Sequence, residues 1–334
     1  MAKSALRDTS WGVIEGSTFA TDFVMGEVLA ELAEDHPNVC VLTADLGYPT
    51  RVREFAARHP DRFFDFGIAE HNMVSAAAGM ATAGKIPYVT TFACFVGLLC
   101  CEQLRTDIAY PGLPVRVLAT HGGISMGFYG TSHHATEDLA IVRSIAGMTI
   151  VSTADRVAIR ATLSRTVDDP GPIYFRLGRG REPVIYTPDD PRYPFAPGKS
   201  HRLRTGNDVT IIATGSMVHP ALQAAELLTA VGIDAAVIDM WCIKPLDAEA
   251  IEQAAVSTRR IVTVEEHNVL GGLGGAVAEV VASLGLPARV VRHGLNDVYA
   301  EIGPPKQLYE HYGLDAAGIA AVVRDAMRAS RARA

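Results

Sequence analysis

The sequence predicts an α/β protein with two domains, each a mostly parallel β-sheet covered by helices. The first observation behind this prediction is a length of 334 residues, more than one hydrophobic core usually holds. The second is that apolar runs of strand length alternate with longer helical patterns. The third is a segment rich in Pro, Asp and Gly that interrupts the alternation at 181–206. We therefore expect one domain over 15–185, a linker over 186–205 and a smaller domain over 206–330.

The first alternating stretch contains three apolar runs of strand length, and each follows a segment with a helical pattern. Short apolar runs between helices are typical of buried parallel strands. The predicted strands are Val39–Thr43, Ile86–Phe92 and Val115–Thr120, and the helical segments before them are about 21–34, 68–83 and 97–109. Because functional groups gather at the carboxyl ends of parallel strands, that edge of the sheet is the expected place for a site.

The second alternating stretch predicts the smaller α/β domain. Its strands are Val209–Ala213, Ala235–Asp239 and Ile261–Glu265, and its helices are Pro220–Val231, Ala248–Ala255 and Gly274–Leu284. The segment Gly271–Gly275 precedes the last helix and is rich in glycine, but it lacks the full spacing of a dinucleotide-binding loop. We therefore interpret it as a tight turn with close helix packing.

Composition and charge narrow the class of function. The chain is 49% hydrophobic and 20% charged, which is typical of a globular protein rather than a disordered one. Its net charge of −7 argues against a nucleic-acid or anionic-membrane partner. The segment Met1–Gly16 has no apolar core flanked by basic residues, and no apolar run approaches membrane-spanning length. We therefore expect a cytoplasmic protein without a signal peptide.

The cysteines predict neither a disulfide framework nor a zinc site. There are five of them, an odd number, and no Cys-x-x-Cys spacing occurs. Most lie in apolar runs, so we expect buried free thiols in a reducing compartment. They are Cys40, Cys94, Cys100, Cys101 and Cys242. We predict no metal site within this chain.

Residues with chemical potential occur at the ends of the predicted strands. Asp45, Phe92 and His121 lie at or just after the ends of three of them. Glu70 begins a predicted helix between apolar residues, so it is a candidate for burial and for a raised pKa. Three of them have a simpler interpretation, namely a helix cap for Asp45, a core residue for Phe92 and a first-turn acid for Glu70. The pair His133–His134 could belong to an exposed loop or bind a metal, although no suitably spaced carboxylate or thiol supports the metal.

Several segments together resemble the transketolase family. The segment 63–73 around Glu70 resembles the family's Glu-containing segment, and Thr91–Phe95 resembles its Thr-Phe-x-x-Phe segment. Two histidine segments that carry His121 and His133 match family segments in their separation. Further resemblance occurs at Ala44–Leu46, Arg176–Gly180, Ile243–Asp247 and Val264–His267. This resemblance implies a thiamine diphosphate-binding pyrimidine domain followed by a transketolase C-terminal domain.

The resemblance implies which residues bind the cofactor. Glu70 would hold N1′ of the thiamine diphosphate aminopyrimidine and help place the proton that the cofactor needs for its chemistry. Phe92 and Phe95 would pack on the aminopyrimidine ring, and Asp45 would lie close to the cofactor. A third aromatic residue of the family pattern falls at Leu98, so the ring cage is thinner in this chain.

The resemblance also implies which residues bind the substrate. His121 and His133 would contact the sugar and move protons, which makes them predicted catalytic residues together with Glu70. Arg179 would bind a substrate phosphate through its planar set of donors. A family Asp that contacts a substrate hydroxyl falls at Tyr129. We therefore expect retained two-carbon transfer chemistry on a nonstandard sugar.

One part of the family pattern is missing from the sequence. Full-length transketolases carry a Gly-Asp-Gly segment followed by an Asn, which binds the cofactor diphosphate and a metal, and no Gly-Asp-Gly occurs here. The resemblance therefore covers the later two-thirds or less of the family. It implies an obligate N-terminal partner subunit that holds the diphosphate and Mg²⁺ or Ca²⁺. Two copies of each chain would form a heterotetramer.

The resemblance thus implies a split transketolase subunit in carbohydrate metabolism. It would transfer a two-carbon ketol group from a ketose, expected to be phosphorylated, to an aldose. Ala69 before Glu70 instead favours an acyloin synthase of the deoxyxylulose-phosphate type, which decarboxylates pyruvate. The beta subunit of a 2-oxoacid dehydrogenase shares the layout and the Glu but not the paired histidine segment. A non-catalytic scaffold would be expected to lack Glu70.

Overall fold

The computed structural model of the chain describes residues 24–180 and 182–331, which form two β-sheets with helices packed on them. The strands are β1 (Val39–Thr43), β2 (Phe63–Asp65), β3 (Ile86–Phe92), β4 (Arg116–Thr120), β5 (Thr149–Ser152), β6 (Ile173–Arg176), β7 (His201–Arg204), β8 (Val209–Ala213), β9 (Ala235–Asp239), β10 (Cys242–Lys244), β11 (Arg260–Asn268) and β12 (Arg289–Leu295). The helices are α1 (Met25–Asp35), α2 (Arg53–Arg58), α3 (Glu70–Thr82), α4 (Cys101–Gln103), α5 (Asp138–Ser144), α6 (Arg156–Thr166), α7 (Val218–Thr229), α8 (Ala248–Ser257), α9 (Leu273–Ser283), α10 (Pro305–His311) and α11 (Ala316–Arg331). The predicted α/β class with two mostly parallel sheets is confirmed.

The larger sheet has seven strands in the order β10-β5-β6-β4-β3-β1-β2. Its neighbouring strands are parallel except for the antiparallel pair of β10 with β5. The interior strands β1 and β4 are buried along their whole length, as expected of apolar runs covered on both faces of a parallel sheet. The carboxyl ends of β1, β3, β4 and β6 therefore meet along one edge.

The smaller sheet has five strands in the order β12-β11-β8-β9-β7. Its strands are parallel except that β7 runs antiparallel to β9. The strand β7 lies within 186–205, the segment predicted as a linker, and β10 of the later part of the chain completes the larger sheet. The predicted domain start at 15 and the predicted helix start near 21 lie outside the described residues.

Most of the predicted elements occur where the sequence placed them, and β1, β3, β8 and β9 have the predicted bounds. The segment predicted as helical at about 97–109 is helical in the structure, but only Cys101–Gln103 is α-helix. The structure has two π-helical stretches, Phe95–Leu99 and Leu104–Ala109, on either side of α4. Gly97 in the first stretch packs closely on α5, since a Cβ on it would lie 2.9 Å from Cβ of Asp138. Such widened turns occur often at functional sites.

The two sheets share their cores. The buried apolar residues form two clusters, and each contains residues from both sheets. Polar contacts reinforce this packing: the Arg143 guanidinium donates to both carboxylate oxygens of Glu279 at 2.7 Å and to the Gly271 carbonyl oxygen at 2.8 Å. Lys244 Nζ donates to the carbonyl oxygens of Arg143 and Ile145 at 2.9 and 2.6 Å. The C-terminal part of the chain is thus fixed against the larger sheet.

The cysteines are free, and four of the five are buried, as predicted. Burial raises the pKa of the Cys40 and Cys242 thiols to about 11. Such thiols stay protonated and unreactive at neutral pH. In the described part of the chain, no helix is both long enough and apolar enough to span a membrane.

Candidate active site

Four neighbouring strands of the larger sheet carry predicted site residues at their carboxyl ends. Asp45 follows β1, Phe92 ends β3, His121 follows β4 and Arg179 lies shortly after β6. Because these strands are adjacent and parallel, the four residues come to the same edge of the sheet. The edge predicted from the sequence is therefore the edge at which the structure brings these residues together.

Five of the predicted residues form one continuous group of rings. The ring centroid of Phe92 lies 5.7 Å from that of Phe95 and 4.3 Å from that of His121. The ring centroid of His133 lies 5.3 Å from that of Phe95 and 4.9 Å from that of Tyr129. The group offers a flat apolar wall with two imidazoles beside it, which suits a heteroaromatic ring next to a polar ligand.

Glu70 is the first residue of α3, and its side chain is only 7% exposed. Its predicted burial is confirmed. Within the described part of the chain, no residue forms a hydrogen bond or ion pair with the Glu70 carboxylate. Burial raises the pKa of the Cys100 thiol to about 12, and the charge of Glu70 adds to this effect. Glu70 therefore lies near the segment that carries Phe95, where a bound group could satisfy the acid.

Asp65 joins the Asp45 turn to the start of α3. Its Oδ1 accepts hydrogen bonds from the backbone N–H of Asp45 at 2.9 Å and of Gly67 at 3.0 Å. The backbone at Gly67 has φ +66°, a conformation that favours glycine and turns the chain toward Glu70. Asp45 itself is exposed with φ +57°, and it caps no described helix, because α2 is preceded by Val52.

His121 lies in a turn that two strand ends hold together. Its side chain is buried, its φ is +61°, and its backbone N–H donates to the Gly178 carbonyl oxygen at 3.0 Å. The ring nitrogen Nδ1 lies 2.9 Å from Oγ1 of Thr120. Arg179 Nη1 donates to the carbonyl oxygen of Ser125 at 3.2 Å. The loops after β4 and β6 thus support each other and bring Arg179 beside the His121 turn.

His133 and His134 differ in their surroundings. His134 is buried, whereas His133 is partly exposed and has Nδ1 2.9 Å from the Ser132 hydroxyl. Burial lowers the pKa of His133 below its ordinary value. A mostly neutral imidazole can both donate and accept a hydrogen bond near neutral pH. Over 24–180 and 182–331, no group of three or more His, Cys, Asp or Glu side chains is arranged to hold a metal ion.

The sequence analysis missed a buried charge network beneath the His121 turn. Arg176 Nε donates to the Asp138 carboxylate at 3.0 and 3.1 Å. Arg176 Nη2 donates to the carbonyl oxygens of Ala135 and Glu266, both at 2.9 Å. The sequence did hold a signal, because Arg176 ends one apolar strand and Glu266 lies within another. Charges buried in this way need partners.

The turn Gly271–Gly275 is filled from within the chain. The Glu265 carboxylate accepts hydrogen bonds from the backbone N–H of Leu273 at 2.7 Å and of Gly274 at 2.8 Å. A Cβ on Gly272 would lie 2.0 Å from Glu265 Oε2. A side-chain carboxylate thus occupies the place at the start of α9 that a phosphate would need. The interpretation of this segment as a tight turn is confirmed.

Two family models match this chain. Residues 17–183 match the model described as transketolase, pyrimidine binding domain. Residues 198–319 match the model described as transketolase, C-terminal domain. The first match contains the strand edge at which Glu70, Phe92 and His121 lie.

Two curated relatives are transketolase subunits of similar length. One of the subunits of the apulose-4-phosphate transketolase of Phocaeicola vulgatus is 39% identical over 88% of this chain and 93% of its own length. The 6-deoxy-6-sulfo-D-fructose transketolase subunit SqwH of a Clostridium species is 38% identical over 87% of this chain and 89% of its own length. The 1-deoxy-D-xylulose-5-phosphate synthase of Syntrophotalea carbinolica is also 38% identical, over 92% of this chain but only 48% of its own length.

One solved structure is similar in both sequence and fold. It is described as a split gene transketolase, inactive beta4 tetramer, and is 43% identical to this chain. The match covers 91% of this chain and 96% of that chain, with a TM-score of 0.82.

Proposed function

The chain belongs to the transketolase family, matching its pyrimidine-binding and C-terminal domains, and on this premise we propose that it is one subunit of a split thiamine diphosphate-dependent transketolase. The two transketolase subunits that it resembles support the proposal, since it covers 93% and 89% of their lengths. The observation that carries the proposal is Glu70, a residue only 7% exposed that lies near the segment carrying Phe92 and Phe95.

The residues at the strand edge fit the pyrimidine end of the cofactor. Glu70 is buried without a partner among the described residues, so a ring nitrogen that shares a proton with it would satisfy it. Phe92 and Phe95 would pack on the face of that ring, and Asp45 would lie close by. When bound, thiamine diphosphate supplies the reactive carbon that carries the two-carbon group. Glu70 would hold the proton at N1′ of the cofactor.

The remaining site residues would bind the sugar. His121 and His133 flank the Phe92–Phe95 wall, where they can donate hydrogen bonds to the oxygens of a ketose and move protons. Arg179 lies next to the His121 turn and would bind the phosphate of a phosphorylated sugar. In this proposal His121, His133 and Glu70 are catalytic, while Arg179 and Tyr129 determine which sugar fits.

The partner subunit would complete this site. This chain has no Gly-Asp-Gly segment, so the diphosphate and its Mg²⁺ or Ca²⁺ would be held by an N-terminal subunit. Apolar side chains near the site are exposed in this chain alone, with Ile68 84% and Leu98 46% exposed, as expected of a surface that another chain covers. The solved relative is described as inactive when it forms a tetramer of one chain. We propose a cytoplasmic heterotetramer with two copies of each subunit.

The substrate would be an uncommon sugar in carbohydrate metabolism. Tyr129 takes the place of a family Asp that contacts a substrate hydroxyl, and its ring packs on His133. The names of the two related subunits specify apulose 4-phosphate and 6-deoxy-6-sulfo-D-fructose rather than the common pentose phosphates. We therefore expect this chain to prefer a sugar that an ordinary transketolase does not favour.

The proposal is tested with the chain reconstituted with its partner subunit, thiamine diphosphate and Mg²⁺. Ketol transfer is measured for wild type, Glu70→Gln and Glu249→Gln. Glu249 is the matched control because it also lies in the first turn of a helix, but on the surface. Loss of about 100-fold or more in kcat for Glu70→Gln alone supports the proposal, since the amide cannot share the proton. Equal activity in all three proteins contradicts it.

One alternative is supported by a comparison. The similarity to 1-deoxy-D-xylulose-5-phosphate synthase extends over 92% of this chain, and Ala69 before Glu70 also favours that type of enzyme. It would decarboxylate pyruvate and join the remaining two carbons to an aldehyde. Release of carbon dioxide from pyruvate by the reconstituted complex, without ketol transfer from a ketose, would favour this alternative over a transketolase.

A further inference from the structure

Glu266 brings a carboxylate of the smaller sheet to the boundary with the larger one. It lies in β11, and its side chain is buried. Its carboxylate accepts three hydrogen bonds, from the Ile124 backbone N–H at 2.6 Å, the Tyr309 hydroxyl at 2.7 Å and the Ser216 hydroxyl at 2.6 Å. Burial raises the pKa of Glu266, while Arg176 and the three donors act to lower it. Only Ile124 among these donors belongs to the larger sheet's domain.

The bond to Ile124 holds the turn that carries His121. That turn runs from His121 to Ile124 and has left-handed backbone at His121 and Gly123, with φ of +61° and +69°. A Cβ on Gly123 would lie 2.1 to 2.2 Å from Glu266 Cδ, Cγ and Oε1. The turn therefore lies directly on the carboxylate, and any shift of Glu266 must shift the turn.

Arg176 fixes Glu266 relative to this turn. Its Nη2 donates to the Glu266 carbonyl oxygen at 2.9 Å, and a Cβ on Gly122 would lie 3.0 Å from its Cζ. The guanidinium is itself held by the Asp138 carboxylate at 3.0 Å in a nearly fully buried ion pair. Arg176 and Glu266 thus form a rigid base under the turn, because breaking one partner out of such a buried network is strongly destabilising.

We propose that Glu266 is a positioning residue for His121: by holding the Ile124 amide, it fixes the turn that brings the imidazole to the Phe92 ring. Its carboxylate is buried and engaged by three protein donors, so we assign it an indirect role through His121. The smaller sheet's domain would therefore contribute to the reaction through the hydrogen bond from Ile124 to Glu266 across the boundary between the two domains. The kinetic part of this inference rests on the proposed function, whereas the geometric part does not.

Glu265→Gln provides a matched control for Glu266→Gln. Both residues are buried in β11, and both carboxylates hold backbone amides. Glu265, however, holds the start of α9, and among the described residues none of its hydrogen bonds reaches the His121 turn. Any general weakening of β11 should appear in both variants, whereas displacement of His121 should appear only in Glu266→Gln.

The first measurement is steady-state ketol transfer by the reconstituted complex. For Glu266→Gln we expect kcat to fall about 10- to 100-fold, since a misplacement of about 1 Å can cost about 100-fold. KM for the ketose should change much less, and Glu265→Gln should keep near wild-type kcat. In a His121→Asn background, Glu266→Gln should cost little more, because both act through one imidazole. A full, additive loss in that background overturns the inference.

The second measurement is independent of the reaction. In the full chain labelled with ¹⁵N-histidine, the His121 ring signal is identified by its disappearance in His121→Asn. Glu266→Gln should shift this signal, and Glu265→Gln should leave it in place. If Glu266→Gln does not fold, Tyr309→Phe removes one donor to the same oxygen and should shift the signal less but measurably. An unshifted His121 signal in the folded variant overturns the inference, whereas a shifted signal without any ketol transfer by wild type contradicts only the proposed function.

Discussion

Glu70 lies at the candidate site, where its lack of a hydrogen-bond partner among the described residues is expected to lower the stability of the fold. The residue is only 7% exposed and has no hydrogen-bond partner among the described residues, whereas Glu266 and Glu265 are buried with two or three donors each. A buried polar group without a partner costs about 1–3 kcal/mol. Residues kept at such a cost are typical of binding sites, where the ligand supplies the missing partner.

The cost at Glu70 leads to a prediction for the chain without cofactor. Glu70→Gln should leave the free energy of unfolding unchanged or raise it by about 1 kcal/mol, because a neutral amide costs less to bury than a carboxylate. Urea denaturation of the full chain measures this, with Glu249→Gln as the surface control. A loss of more than about 1 kcal/mol for Glu70→Gln would mean that the acid has a stabilising partner in the protein.

Tyr129 is the residue at which we expect sugar preference to be set. The residue is 56% exposed, and its ring packs on His133 with centroids 4.9 Å apart. Tyr129→Asp should raise kcat/KM for a common sugar phosphate relative to the preferred sugar, since it restores the family's acceptor for a hydroxyl. The control is Tyr129→Phe, which keeps the ring and should leave the ratio nearly unchanged. If both variants change the ratio equally, packing on His133 rather than hydroxyl recognition determines the preference.

Among the elements, the turn after β4 combines left-handed backbone with a very close contact. Gly123 has φ +69°, and a Cβ there would lie 2.1 Å from Glu266 Cδ. Gly123→Ala should therefore destabilise the protein by about 2–4 kcal/mol, through both backbone strain and the clash. Gly84 separates these two effects, because its φ is +81° but a Cβ on it would have no atom within 4 Å. Gly84→Ala should cost only about 1 kcal/mol, and equal losses in urea denaturation would contradict the close contact at Gly123.

The strands that were predicted with correct bounds share one physical property. β1 and β8 are continuous apolar runs that are buried on both faces, so local composition alone defines where they begin and end. β2 has three residues and is partly exposed, and β10 joins the larger sheet through an antiparallel pair with β5. The local sequence does not indicate β2 or the place of β10, because both depend on pairing with segments that are distant in the chain.

The candidate site also has one part that the local sequence indicates and one part that depends on contacts between distant segments. The strand edge that gathers Asp45, Phe92 and His121 follows from the order of parallel strands, which the alternating pattern indicates. The buried charge network under the His121 turn could not be predicted from this pattern. Its members Arg176, Asp138 and Glu266 are far apart in sequence and meet only in the folded chain. The sequence could show that these charges needed partners, but not which partners they would find.

At the scale of the whole molecule, a buried polar cluster of Tyr186, Asp239 and His201 connects the segment after β6 to the smaller sheet. Asp239 ends β9, and its Oδ2 accepts a hydrogen bond from the Tyr186 hydroxyl at 2.6 Å. His201 Nδ1 lies 3.2 Å from the same hydroxyl. Burial raises the pKa of Asp239 to about 8 and lowers the pKa of His201 to about 4.

These shifts predict how stability depends on pH. The stability that the protonated Asp239 contributes is present below its unfolded pKa of about 3.9 and is lost as pH rises to its folded pKa near 8. His201 acts in the opposite direction, because its contribution is present above about pH 6.5 and is lost as pH falls toward 4. As pH rises toward 6.5, Asp239 lowers the free energy of unfolding while His201 raises it. Above pH 6.5, only the decrease that Asp239 causes continues.

Asp239→Asn should remove the fall in stability with rising pH that the titration of Asp239 causes. Between pH 6.5 and 8, the wild-type free energy of unfolding should fall by about 2 kcal/mol relative to the variant, at 1.36 kcal/mol per pH unit. The amide oxygen keeps an acceptor for Tyr186, so the comparison isolates the titration. Urea denaturation at several pH values measures the difference, and parallel curves for the two proteins would contradict an Asp239 that stays protonated in the fold.

The central claim is that this chain holds the pyrimidine half of a thiamine diphosphate site and that a second chain holds the other half. The most direct measurement is ketol transfer from a ketose to an aldose, with cofactor and Mg²⁺ present, as the N-terminal subunit is titrated into a fixed amount of this chain. We predict no turnover by either chain alone and activity that rises to a plateau at an equal number of both chains. Turnover by this chain alone, or no turnover and no cofactor binding at any ratio, would contradict the account.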